Sequence, residues 1–154
     1  MPLGQRQLIV IAAGGSAALL LAAFAFQHLG GMAPCSLCVW QRWPHAVAVA
    51  CGAVALVALP RLMAGAGMLA ALATAAIAGY HTGVERGWWE GPTTCTSSST
   101  SGLSTDALYD QIMSAPLVRC DEVPWQMLGL SMASWNMVLA LGLAAIWFTA
   151  LRAR

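Results

Sequence analysis

The hydrophobic positions of this chain fall in four long runs: Leu8 to Gln27, Trp43 to Leu59, Leu62 to Tyr80, and Ala133 to Leu151. Each approaches the roughly 20 residues needed to cross a hydrocarbon core. The first, third and fourth contain no Asp, Glu, Lys or Arg. In lipid every backbone amide must find its partner within the segment, so each run is expected to be helical. Small residues recur every fourth position in the third run, at Ala66, Ala70, Thr74 and Ala78, which gives a flat stripe for close helix approach. The pattern predicts an all-α membrane protein, a bundle of four transmembrane helices forming a single domain over residues 1–154. A cleaved signal peptide is the competing reading of the first run, since Arg6 precedes it and Ala23-Phe24-Ala25 has the A-x-A form. The run exceeds the usual length of a signal's apolar core, so a span is expected; cleavage leaves three spans and the same loops.

Composition strengthens this picture. Of 154 residues 59% are hydrophobic and 8% charged, against about 25% charged in an ordinary soluble domain. A water-soluble domain is thereby excluded and a lipid bilayer becomes the solvent. Seven Arg, six acids and no Lys give a net charge of +1, with no basic patch for nucleic acid.

The few charges set the orientation. Arg6, Arg61, Arg152 and Arg154 lie at one side of the runs without acidic company. Glu85, Glu90, Asp106, Asp110, Asp121 and Glu122 lie at the other, with Arg42, Arg86 and Arg119. By the positive-inside rule both termini are cytoplasmic, and two loops, about 28–42 and 81–132, face outward. Trp40, Trp43, Trp88, Trp89 and Trp125 fall at the outer boundary, where indoles settle among headgroups. Within the long loop, Thr94 to Thr105 is nearly all Ser, Thr and Gly and reads as flexible coil. Ser104 then caps a candidate short helix bearing Ala107, Leu108, Ile112 and Met113, with Asp106 and Asp110 on another side, before Pro116.

Five cysteines stand at 35, 38, 51, 95 and 120. Cys51 lies inside the second run and reads as packing. The other four lie in the outer loops, where an oxidising compartment lets them pair in three connectivities. Cys35-Ser36-Leu37-Cys38 has the spacing of reactive dithiols, in which one thiolate is activated and the other resolves a mixed disulfide; Cys95 and Cys120 are the natural second pair. Three readings compete: inert structural disulfides, a zinc site, and a redox relay. Zinc is disfavoured because no second C-x-x-C is present, so no metal is expected. The relay is favoured by position, since a helix beginning near Cys38 turns its positive end towards that thiolate. Arg42, four residues on, shares a helix face with Cys38 and is placed to steady it and to polarise the carbonyl of a lipid-soluble oxidant; snorkelling to headgroups is the plainer role. Pro44 leaves two options, the start of the second helix or a kink within its first turns.

Pro34-Cys35-Ser36-Leu37-Cys38 followed by Gln41-Arg42 resembles the first-loop motif of the DsbB family, bacterial inner-membrane disulfide-forming proteins. Phe26-Gln27-His28, the Cys95/Cys120 pair and Trp125 through Gly129 also resemble it, so the likeness covers the chain in order. It implies a protein-dithiol:quinone oxidoreductase with its active cysteines on the periplasmic side. A DsbA-like thioredoxin-fold partner would form a mixed disulfide with Cys95, the mate of Cys120. Cys120 would then attack Cys35, and Cys38 beside Arg42 would meet the quinone. The stretch before Cys95 is compact for the family. His81, at the membrane edge, is a candidate quinone contact, and Trp40, Trp43 and His45 could wall the ring; ubiquinone and menaquinone are not distinguished. An oxidising dithiol carrier near about −120 mV needs an acceptor beyond the glutathione pool, which a membrane quinone supplies. Two other expectations stand beside this one. A vitamin K epoxide reductase-like protein would carry its C-x-x-C late in the chain. A non-enzymatic scaffold would hold its disulfides inert.

Overall fold

The computed structural model describes residues 3–92, 104–114 and 118–153. Four long helices dominate: α1 (Gln5–His28), α2 (Ser36–Ala55), α3 (Pro60–Glu85) and, after a short α4 (Thr105–Ser114), α5 (Met132–Arg152). They form a ring in which α1 packs on α2, α2 on α3, α3 on α5, and α5 back on α1.

Small side chains make this packing possible. The buried face of α3 carries Ala64, Gly67, Ala70, Ala71, Thr74, Ala75 and Ala78, which includes the stripe expected from Ala70 onward. Trp147 of α5 is fully buried and lies so close to Gly67 that a β-carbon there would sit 2.7 Å from the indole. Large apolar residues point the other way: Leu21, Val57, Leu62 and Leu69 are all more than 60% exposed. A molecule that buries alanine and displays leucine aggregates in water and is solvated in lipid. Helices α1, α3 and α5 are long and apolar enough to cross a membrane. Helix α2, at 20 residues, reaches about 30 Å, although its first half is polar. The protein is an integral membrane protein.

Two helices run beyond their apolar blocks, both at the same end of the bundle. Helix α2 starts at Ser36 with Pro44 inside it, which selects the second of the two options for that proline. Cys35 caps it by accepting the Cys38 N–H on its sulfur at 3.2 Å. Helix α3 continues to Glu85, because His81 and Thr82 find polar partners across the bundle. The expected loop helix is present as α4, while residues 94–103 of the expected coil, and Pro116, lie outside the described residues. One element was not foreseen, a hairpin of β1 (Gln126–Met127) and β2 (Leu130–Ser131). Its two-residue turn needs positive φ at both central positions; Leu128 (54°) and Gly129 (77°) supply it. Ser131 then caps α5, its hydroxyl accepting the Ser134 N–H at 3.2 Å.

Candidate active site

The Cys35 cap places its sulfur at the first turn of α2, and Cys38 one turn on brings a second sulfur to 2.7 Å from it. Closing the bond, at about 2.05 Å, takes little movement. Two sulfurs on one tetrahedral zinc stand about 3.7 Å apart. Cys35, Cys38 and His81 offer donors within 4.8 Å of one another, and the two sulfurs stand nearer to a disulfide's length than to that zinc spacing. The two sulfurs differ in acidity. The thiol of Cys35 hydrogen-bonds to Cys38, and with burial this pushes the Cys35 proton's release far above the ordinary thiol range. The same hydrogen bond holds Cys38 below that range, helped by the Arg42 guanidinium and opposed by burial and by Glu85. Cys38 is the more acidic of the two.

Cys120 is fully buried beside this pair in a cluster with Cys35, Leu37 and Val84, its sulfur 3.8 Å from the Ser36 hydroxyl. The neighbouring Arg119 donates from Nε to Asp121 at 3.0 Å and holds that carboxyl below its usual range. Three of the four expected cysteines therefore meet in one place. Cys95 lies outside the described residues. Cys51 is buried in α2 and takes no part in the cavity lining.

His81 stands at the junction of the two cysteine elements. Its Nδ1 accepts from Gln41 Nε2 at 2.9 Å, and its Nε2 donates to the Cys120 carbonyl at 3.2 Å, with Cys35 Sγ at 3.7 Å and Glu85 Oε1 at 3.9 Å. Glu85 is itself held by the Ser131 hydroxyl. Gln41 continues the chain, accepting on Oε1 from Asn136 Nδ2 at 2.7 Å, and Asn136 Oδ1 accepts from His45 Nε2 at 2.9 Å. Sequence reading passed over Gln41 as chemistry and missed Asn136, Thr74 and Glu85. One signal was present: an Asn inside an apolar span is costly in lipid and points to a polar partner.

These groups border a cavity of about 610 Å³ lined by Cys35, Cys38, Gln41, Arg42, His45, His81, Glu85 and Asn136, with Leu19, Phe26, Trp125, Trp135 and Leu139 among its apolar walls. Arg42 donates to Gln27 Oε1 at 2.6 Å and lies over the Phe24 ring at 5.0 Å, so it is braced within the bundle. Trp125 is a wall residue whose ring is tilted against Phe26, with centroids 5.5 Å apart. Trp40, Trp43 and Trp88 are well exposed, as surface anchors are.

A buried dithiol at the head of a membrane helix, its more acidic sulfur on the wall of an apolar cavity, defines a membrane thiol oxidoreductase that generates disulfides. The comparisons with known proteins carry this to a family. The sequence matches the family described as disulfide bond formation protein DsbB over residues 5–150, and the chain belongs to it. It is 34% identical to disulfide bond formation protein B of Stutzerimonas stutzeri over 92% of this chain and 91% of that protein. The same protein of Methylococcus capsulatus is 34% identical over 88% and 90%, and that of an Azoarcus species 29% over 96% and 93%.

Proposed function

We propose that the protein oxidises the dithiol of a soluble DsbA-like thioredoxin-fold partner and delivers the electrons to a membrane quinone, ubiquinone or menaquinone. The observation that carries this reading is the Cys38 sulfur on the wall of an apolar cavity, 2.7 Å from Cys35 and beside the buried Cys120. Few polar groups in a cavity of several hundred cubic ångströms suit a ring with two carbonyls and an apolar tail. When bound, a quinone supplies a sink for two electrons and two protons.

In this reading a partner thiolate attacks Cys95 of a Cys95–Cys120 disulfide and Cys120 leaves as thiolate. Cys120 then attacks Cys35 of a Cys35–Cys38 disulfide, and the bond that breaks releases Cys38 as thiolate. The second partner thiol attacks Cys95, giving the partner its disulfide. Cys95 next displaces Cys35 from Cys120, leaving Cys35 and Cys38 as a reduced pair. Arg42 stabilises the Cys38 thiolate and offers donors to a carbonyl oxygen. His81 steadies Cys120 and Cys35 against each other and borders the cavity. The membrane is the bacterial inner membrane, spanned at about 8–27, 43–59, 62–80 and 133–151. Both termini are cytoplasmic and the cysteine end periplasmic, which the unbalanced arginines at 6, 61, 152 and 154 support.

The test is anaerobic absorbance of a soluble ubiquinone analogue mixed with purified protein and a reduced thioredoxin-fold partner. Quinone reduction is expected, with loss in Cys38→Ser; turnover that survives in Cys38→Ser overturns the assignment.

A further inference from the structure

The buried hydrogen-bonded chain has a direction, fixed by a group that can only accept. The Leu37 carbonyl accepts a hydrogen bond from Gln41 Nε2 at 3.3 Å, so the amide nitrogen faces Leu37 and His81 and the amide oxygen faces Asn136. Asn136 Nδ2 donates to that oxygen and, at 3.3 Å, to Thr74 Oγ1, whose own hydroxyl donates to the Gln41 main-chain carbonyl at 2.9 Å. Asn136 therefore turns its oxygen to His45, and His45 Nε2 carries the ring proton. His45 Nδ1 is left as a bare acceptor. It is buried without a hydrogen-bond partner among the described residues, in a side chain 3% exposed that lines the cavity.

The other polar groups around the cavity have partners or the opposite character. His81 has both ring nitrogens engaged, Glu85 is held by Ser131, and Arg42 offers only donors. A quinone oxygen accepts hydrogen bonds, whereas a hydroquinone hydroxyl donates one. Arg42 thus matches the oxidised ligand and the bare nitrogen matches the reduced one.

We propose that His45 Nδ1 accepts a hydrogen bond from a hydroxyl of the hydroquinone, and that Asn136 and Gln41 are positioning residues that keep its ring in the Nε2–H form. The proposal rests on reading the cavity as a quinone site. In the overall exchange the Cys35 and Cys38 thiols lose two electrons and two protons and form their disulfide, while the quinone gains both and becomes a diol. One of its hydroxyls is then held by His45. The cavity consequently favours the reduced ligand and makes the quinone within it a stronger oxidant of the dithiol.

The experiment measures anaerobic binding of decylubiquinone and of decylubiquinol, separately, to the purified full-length protein in detergent. His45→Phe keeps the ring's bulk and removes the acceptor. It is expected to lose about tenfold in quinol affinity, the worth of one hydrogen bond, with quinone affinity changed less than about twofold. Equal losses for both ligands, or none, overturn the proposal. A second readout needs no variant: with nitrogen-15 histidine in the wild type, decylubiquinol is expected to move the unprotonated His45 resonance and decylubiquinone to leave it. An unmoved resonance at saturating quinol overturns the proposal while leaving the quinone reading intact. Wild-type protein that binds neither ligand overturns both.

Discussion

A single hydrogen bond is the largest influence on which sulfur of the dithiol is the more acidic. Its removal in Cys35→Ala lets Cys38 titrate upward, towards the ordinary thiol value, because that bond is the largest influence holding it down. Because the folded value is lowered, the wild type keeps its Cys38 thiolate to lower pH than the variant does. Each unit of upward shift removes about nine-tenths of the thiolate, and the more basic sulfur regains part of the rate through greater nucleophilicity. Alkylation of Cys38 by iodoacetamide near pH 7 is therefore expected to slow about threefold per unit, with thiolate absorbance lost over the same range. Arg42→Met is expected to shift the titration less, since the guanidinium is the weakest of the influences on Cys38. A larger effect from Arg42→Met than from Cys35→Ala contradicts this ordering. The cysteines were legible from spacing, because two thiols three residues apart at a helix start have few uses. Gln41 and Asn136 were not, since their meaning lies in each other, 95 positions apart.

Helices in this protein meet through what their side chains lack. At Gly67 an added methyl collides with the Trp147 ring at 2.7 Å, and that ring has nowhere to go because it is fully buried. Gly67→Ala is expected to lower unfolding stability in detergent by about 1–3 kcal/mol through overpacking between α3 and α5. Gly142→Ala, on α5 with nothing within 4 Å of the new carbon, is expected to raise it by about 0.5–1 kcal/mol through helix propensity. Opposite signs are the test, and two glycines responding alike would sink the packing argument. Hydrophobic runs announced the helices but not their ends at the cysteine side. There α2 begins at Ser36 and α3 ends at Glu85, beyond the last apolar residues, because His81, Gln41 and Arg42 are satisfied by partners on other helices. A periodicity argument stops at the first polar residue, and only the assembled bundle shows that such residues continue inward.

At the scale of the molecule, the bundle is built with two unlike ends. One holds the dithiol, the cavity, the hairpin and the acidic residues, and its polar groups are satisfied across helices. The other is packed with alanine around Trp147 and carries arginines without acidic neighbours. A relay between a soluble dithiol protein and a lipid-dissolved acceptor requires this asymmetry, since the partner must approach from water while the acceptor enters from the bilayer. Orientation in the membrane is therefore as much a part of the proposed activity as the sulfur geometry. Leu128, 85% exposed in the hairpin turn, and Val57, 86% exposed in the α2–α3 connection, report on the two ends. With Leu128→Cys a membrane-impermeant maleimide is expected to label intact spheroplasts. With Val57→Cys, labelling is expected only after the membrane is opened. The reverse pattern would put Cys35 and Cys38 on the reducing side, where thiols stay reduced and no oxidised partner would be made, and the relay would have to be abandoned even with every distance in the site unchanged.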